Sequence, residues 1–288
     1  MFFTKMHGTG NDFIVVDEWE GESVPPRQKA DFVRKACDRH FGIGSDGAIF
    51  IQKSKTADAN FVYYNPDGSR AEMCGNGIRC LAKYVHEHGR VRKDVMVVET
   101  LAGLKTLALK AAGGIVKSVR VDMGRPQITR GEAQVAGRRN ETFVRQKVKI
   151  AGRAYTLTAV GMGNPHAVLY VKDVDNVDVR GGGTAIRYHR KVFPNGTNVH
   201  FIEKVGENEF RIRTYERGVE DETLACGTGI CASAVAAVLN KKADIGKPML
   251  FHARGGDITV ELEGTRDDIR RAYMTGPVEE AFTGKISF

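Results

Sequence analysis

The chain has 288 residues, 42% hydrophobic and 27% charged, which suits an ordinary globular protein of one or two domains. No apolar run approaches the roughly 18 residues of a membrane span, no long apolar leader follows Met1, and five cysteines are too few for a disulfide framework, so a cytoplasmic chain with reduced thiols and no membrane partner is expected. The net charge of +8 would suit nucleic acid, but the basic residues are dispersed and not clustered with aromatics, so no nucleic-acid partner is expected and a positive surface fits an anionic small molecule equally well.

In chain order, the pattern predicts a strand over 13–16, then a helix over 27–40 with Phe32, Val33, Ala36 and Cys37 on one face, ending before Gly42. Strands follow over 48–51 and 61–64. A helix over 78–88 puts Ile78, Leu81, Ala82 and Val85 on one face and is stopped by Gly89. Strands over 95–100 and 119–123 come next, and Gly113-Gly114 and Gly124-Arg125-Pro126 suit a crossover between halves. Over 144–150, Arg145, Lys147 and Lys149 alternate with Val144, Gln146, Val148 and Ile150, a half-buried strand with one solvated face. Strands over 155–160 and 167–171 precede Gly181-Gly182-Gly183, read as a loop. Strands over 198–202 and 211–215 lead to a segment over 228–239 that is apolar nearly all round and should be a buried helix. Strands over 250–252 and 258–262 complete the pattern.

The chain also repeats itself. Met73-Cys74-Gly75-Asn76-Gly77-Ile78 returns 152 residues later as Ala225-Cys226-Gly227-Thr228-Gly229-Ile230. At the same offset Phe41 meets Phe193, Gly44 meets Gly196, Asp46 meets Asn198 and Tyr63 meets Tyr215, while Gly10-Asn11 meets Gly163-Asn164 at 153. Two similar halves follow, each with several strands around one central helix that begins just after the repeated cysteine. The expected domains are 1–122, carrying Cys74 and joined by 276–288, and 123–275, carrying Cys226.

A cysteine at a helix N-terminus sits against unpaired backbone N–H groups and the positive end of the helix dipole. That setting favours thiolate, and the glycines beside it allow close approach to a carboxylate. One such turn alone is more often a packed thiol. Two at matched positions point to a pair of bases working at one stereocentre. Cys37, Cys80 and Cys231 lie on apolar stretches and read as core. The spacings Cys74 to Cys80 and Cys226 to Cys231 are not those of a zinc site, so no metal is expected. Gly42-Ile43-Gly44-Ser45-Asp46-Gly47 spells a nucleotide fingerprint, but a helix precedes it and a strand follows, the reverse of the required context. Asn11, Asn65, Asn164 and Asn198 each stand at a strand edge, where asparagine is normally a turn former. With Arg217 they would make a pocket for a zwitterion, since arginine pairs with carboxylate bidentately.

These residues resemble the diaminopimelate epimerase family. The matching segments are His7-Gly8-Thr9-Gly10-Asn11-Asp12-Phe13, Tyr64-Asn65-Pro66-Asp67-Gly68, the stretch from Glu72 to Cys80, Gly163-Asn164-Pro165-His166, Thr197-Asn198-Val199, Tyr215-Glu216-Arg217-Gly218 and Leu224-Ala225-Cys226-Gly227-Thr228-Gly229. The resemblance implies an α+β fold of two pseudo-symmetric domains, each a mixed strand barrel wrapped around a central helix, with the site between them. It implies a cofactor-independent, metal-free isomerase that interconverts LL- and meso-diaminopimelate, precursors of lysine and peptidoglycan; a homodimer is compatible with it. Cys74 and Cys226 match the catalytic thiols. Asn11, Asn65, Asn164, Asn198 and Arg217 match residues that hold the distal amino-acid group. Gly75, Asn76, Glu216, Gly227 and Thr228 match those around the reacting centre. Two departures stand out: Gly47 occupies a place where many members carry Gln, so that contact is absent or supplied otherwise, and the loop over 218–223 is longer than in many members. The competing reading is another cofactor-independent racemase, acting on proline or hydroxyproline. Arg217 and the asparagines speak against it, because they provide for a second amino-acid head.

Overall fold

Residues 1–287 are described by the computed structural model, and they separate into two units: Met1–Asp122 with the segment from Thr275 onward, and Met123–Met274. The first unit opens with a hairpin of β1 (Phe2–Gly8) and β2 (Asn11–Asp17), paired through Gly8 and Asn11. Its two-residue loop, Thr9-Gly10, has φ of 58° and 78°, the left-handed pair that a type I′ turn requires. β2 is parallel to β3 (Ala48–Gln52), so the connection needs a crossover, and α1 (Lys29–Cys37) supplies it. β4 (Ala59–Tyr64) is antiparallel to β3 and to the short β5 (Arg70–Ala71). Then α2 (Gly75–Glu87) passes over the sheet, and β6 (Val95–Thr100) returns parallel to β4. β7 (Gly103–Ala112) and β8 (Ile115–Gly124) extend the sheet antiparallel.

The second unit repeats this plan. β9 (Gln146–Ile150) flanks β10 (Arg153–Gly161), which forms a hairpin with β11 (Pro165–Tyr170). α3 (Val179–Arg187) crosses to β12 (Asn198–Gly206), parallel to β11. β13 (Glu209–Glu216) and β14 (Asp221–Thr223) are antiparallel neighbours, α4 (Gly227–Leu239) follows, and β15 (Met249–Ala253) returns parallel to β13 before β16 (Gly256–Gly264). Every pairing from β1 to β7 has its counterpart from β10 to β16. The chain re-enters the first unit within β17 (Ile269–Pro277), and β18 (Glu279–Lys285) pairs with the outer edge of β1.

The central strands are buried on both faces, hence their near-continuous apolar runs. In Phe13-Ile14-Val15-Val16 no side chain is more than 1% exposed. Ile14 and Val16 join Phe32, Val33 and Ala36 of α1. Phe13 faces the other way, with Ile49 and Phe61, against Gly77 of α2. In the second unit Ala167, Leu169, Val199 and Phe201 pack on Val179 and Ile186 of α3, while α4 lies against β10, β11, β12 and β16 on the opposite side. Thus each sheet wraps one long helix and carries a short one outside. No helix among the described residues is long and apolar enough to cross a membrane.

Four expectations change. Gly113-Gly114 is not a crossover between halves but the turn of the β7–β8 hairpin, where Ala112 pairs with Ile115. Gly181-Gly182-Gly183 is not a loop but part of α3. The Asp178 carboxylate caps the helix by accepting from the Gly181 N–H at 2.8 Å, and the missing side chains let α3 sit on Phe201 and Tyr215: a Cβ at Gly183 would lie 2.5 Å from that of Tyr215. Close packing outweighs the poor helix propensity of glycine. The helix expected over 27–40 is shorter, a 3₁₀ turn at Pro26–Gln28 and then α1, because Asp38 turns extended and binds the His40 and Phe41 N–H groups at 2.8 Å each. The repeat pair Phe41 and Phe193 differs in burial: Phe193 is core and Phe41 is 96% exposed.

Candidate active site

Cys74 and Cys226 are the N-caps of α2 and α4, both in extended backbone (φ −138° and −118°), each followed by a glycine that opens the helix. Each cysteine carbonyl accepts the first helical bond, from Ile78 or Ile230 at 2.9 Å. The preceding N–H groups of the first turn have no partner within the helix and point toward the cysteine's side of the turn. The other thiols are of a different kind. Burial pushes Cys80 up to about 12 and raises Cys37, so neither is thiolate-prone, and Cys231 is fully enclosed in α4.

In the first unit the I′ turn delivers Asn11 to the Cys74 turn. Its Oδ1 accepts from Asn76 Nδ2 at 3.1 Å and from the Cys74 thiol at 3.8 Å. The turn is held by Arg79 of α2, which is fully buried and donates to Thr9 Oγ1 (2.6 Å), Asn76 Oδ1 (2.9 Å) and the Gly75 and Pro277 carbonyls. Asn11 Nδ2 donates to Asp46 at 2.7 Å, and Asp46 and Asp12 share the Arg39 guanidinium. Asn65 lies in the β4–β5 turn, donating to Ser69 Oγ at 3.0 Å. Gly47 has no room for a side chain, since a Cβ there would lie 2.6 Å from the Tyr64 carbonyl and 2.7 Å from the Tyr63 ring.

Burial alone would raise the Asp12 pKa, but hydrogen bonds from Arg39 and Lys5 and the Lys5 charge outweigh it and hold the carboxyl at about 2, below its ordinary 3.8. A lowered folded value means that this stabilisation is complete above about pH 4 and is lost as pH falls toward about 2. Urea unfolding followed by Trp19, the single tryptophan and a residue of this unit, should therefore show a midpoint that drops between about pH 4 and 2, and the drop should be smaller in Asp12→Asn. Equal drops in both proteins would exclude Asp12 as the source.

In the second unit Cys226 lies 3.6 Å from Thr228 Oγ1, and Glu216 accepts from Thr223 Oγ1 at 3.0 Å. Asn198 is a brace: its Oδ1 accepts the Arg217 N–H at 2.8 Å and its Nδ2 donates to the Pro165 carbonyl at 2.9 Å. Its repeat partner Asp46 makes the matching contact in the first unit, accepting the Asp12 N–H at 3.2 Å. Proline has no N–H, so at 165 the brace must donate to a carbonyl, and an amide replaces the carboxylate. Arg217 donates to the Asn195 carbonyl at 3.3 Å. Its turn is pinned by Glu220, which accepts from the Gly218 N–H at 3.0 Å and from Arg187 at 2.7 Å. Burial and the neighbouring Arg187 guanidinium lower the Arg217 pKa, with Glu220 opposing them. It still carries its charge, so it is a partly desolvated cation suited to an anion. Asn164 Oδ1 contacts His166 Nε2 at 2.7 Å.

The sequence reading missed Arg79, Asp46 with Arg39, the Arg187–Glu220 pair and the His166–His200 contact. Asp46 left a signal in its repeat match to Asn198, and Arg79 and His166 lie in segments that resemble the family, with no role assigned to them there.

The family model described as diaminopimelate epimerase matches residues 3–129 and 158–280. A diaminopimelate epimerase of Pelotomaculum thermopropionicum is 44% identical over 289 residues, covering 100% of this chain and 99% of its own length. One from Agathobacter rectalis is 44% identical over 292 residues, covering 99% of each. Among solved structures, a probable proline racemase from Agrobacterium radiobacter superposes with a TM-score of 0.72 at 17% identity, covering 99% of this chain and 92% of its own. A PhzF-family phenazine biosynthesis protein from Bacillus anthracis gives 0.73 at 14%, covering 100% and 99%. Those two likenesses are of fold. The full-length identity and the matched cysteine turns decide the family: the chain belongs to the diaminopimelate epimerases.

Proposed function

We propose that the protein is an isomerase that interconverts LL- and meso-2,6-diaminopimelate by two-base chemistry, without a cofactor. The observation that carries this is the pair of equivalent helix N-caps, Cys74 and Cys226, in a chain 44% identical along its length to diaminopimelate epimerases. One thiolate takes the α-proton and the other thiol gives a proton to the opposite face; the roles exchange with the handedness of the substrate. The first-turn N–H groups of α2 and α4 bind the α-carboxylate and stabilise the negative charge that develops on it, as preorganised donors do. Gly75, Asn76, Gly227 and Thr228 form those turns, and Glu216 borders the reacting centre. Arg217, Asn11, Asn65, Asn164 and Asn198 serve the distal amino-acid group. The need for two reduced thiols supports a cytoplasmic location.

A proline or hydroxyproline racemase is the second reading. The 17% likeness to a probable proline racemase bears on fold alone, and a small ring amino acid has no second carboxylate for Arg217. The test is to incubate the pure protein with LL-diaminopimelate in heavy water. Meso product labelled at the inverted α-carbon is the expected result. Faster labelling of proline than of diaminopimelate would overturn the assignment.

A further inference from the structure

Two buried histidines of the second unit stand where the first unit has apolar side chains. His166 follows Asn164 by two residues, as Phe13 follows Asn11, and both lie on the strand face turned toward the central helix. Phe13, Ile49 and Phe61 fill the space against Gly77 of α2. The corresponding space against Gly229 of α4 is filled by His200, whose ring a Cβ at 229 would overlap. His166 and His200 are 0% exposed and Thr214 is 3% exposed. A polar core in one half, where the other half manages with phenylalanine and isoleucine, is costly unless every group is satisfied.

Every group is satisfied, and in one direction only. Asn164 Oδ1 lies 2.7 Å from His166 Nε2, His166 Nδ1 lies 2.8 Å from His200 Nε2, and His200 Nδ1 lies 2.9 Å from Thr214 Oγ1. Burial lowers the pKa of both rings, His200 to about 3, and the nearby Arg217 charge acts the same way on His166, so both are neutral and each has one N–H. Running the chain from Thr214, the hydroxyl donates to His200 Nδ1, His200 Nε2–H donates to His166 Nδ1, and His166 Nε2–H donates to Asn164 Oδ1. Run the other way, His200 would donate to Thr214, whose own proton would be buried with no acceptor among the described residues.

We infer that Thr214, His200 and His166 are positioning residues that fix the side-chain amide of Asn164, with Oδ1 turned inward and the Nδ2 hydrogens presented as donors to an anionic group of the substrate. The inference rests on the proposed binding role of Asn164. Reversal of the amide would present a carbonyl to a carboxylate. Because the His200 ring also supports Gly229, the same relay ties the donor amide to the helix that carries Cys226.

The relay is read directly by long-range ¹H–¹⁵N correlation on histidine-labelled wild-type protein. The expected spectrum has both His166 and His200 as neutral Nε2–H tautomers throughout about pH 5.5 to 8, where an ordinary histidine titrates. An Nδ1–H tautomer or a titration of either ring in that range overturns the inference. Kinetics supply the functional arm. Thr214→Val keeps the volume and removes the hydroxyl; it should raise KM about tenfold while kcat changes less than about twofold, the signature of lost uniform binding. Thr214→Ser, which retains the hydroxyl, should restore the wild-type KM. Equal effects of Val and Ser would mean that Thr214 only packs, and the relay would fall. Asn164→Ala separates the two levels. If its KM is unchanged, the binding role of Asn164 falls. If its KM rises while that of Thr214→Val does not, the relay alone falls.

Discussion

Cys74→Ala and Cys226→Ala are each expected to abolish epimerisation, while Cys37→Ala should leave it intact. A positioned acid or base contributes about 10²–10⁴ in rate, and each variant lacks one of the two such groups that inversion demands. The contrast with Cys37 follows from environment. Cys74 and Cys226 cap helices whose N–H groups favour thiolate, whereas Cys37 is core and its thiol is raised by burial. The defect also has a specific shape. Each single variant keeps one base, so it can still lift the α-proton of one diastereomer and return a solvent proton to the same face. In heavy water one variant should therefore label LL-diaminopimelate without inverting it, and the other should do so with the meso form. Inversion at a wild-type rate in either variant would eliminate the two-base mechanism, and labelling of both isomers by one variant would mean that the thiols are not divided between the two faces.

Arg217→Met should lose binding, with KM raised by about two to nearly four powers of ten, because removing one partner of a desolvated charge pair costs about 3–5 kcal/mol. The size follows from the site. Arg217 is partly buried, its side chain donates one hydrogen bond among the described residues, to the Asn195 carbonyl, and Arg187 stands close enough to depress its pKa. A substrate carboxylate relieves that imbalance. Lysine is a poor substitute, because it lacks the planar fork that binds carboxylate with two bonds. The loss should fall on KM and spare kcat, since the distal group does not react. Comparable KM values for wild type and Arg217→Met would remove Arg217 from the binding site. Retained binding by a substrate analogue that lacks the distal carboxylate would remove the carboxylate from its role.

The duplication, the two cysteine turns and the helices behind them are legible in the order of the residues. These are local patterns: Cys-Gly-x-Gly before an apolar helix needs no distant partner, and the α4 segment, apolar all round, can only be a core helix. Four-residue apolar runs such as Phe13-Ile14-Val15-Val16 likewise announced strands buried on both faces. The strands β1, β7 and β18 went unread because Phe2, Leu104 and Phe282 are exposed and blur the alternation. The remaining features arise from long-range packing. Three glycines became helix α3 because Phe201 and Tyr215 needed its backbone close by. Arg79 is a core residue because Thr9, seventy positions earlier, accepts its hydrogen bond. His166 and His200 are a relay only because β11 and β12 are parallel neighbours, an arrangement set by the crossover through α3. A periodicity reports whether a side chain meets water or core, which burial decides locally. Which donor finds which acceptor in that core depends on strand pairing across tens of residues, and so is settled only when the chain folds.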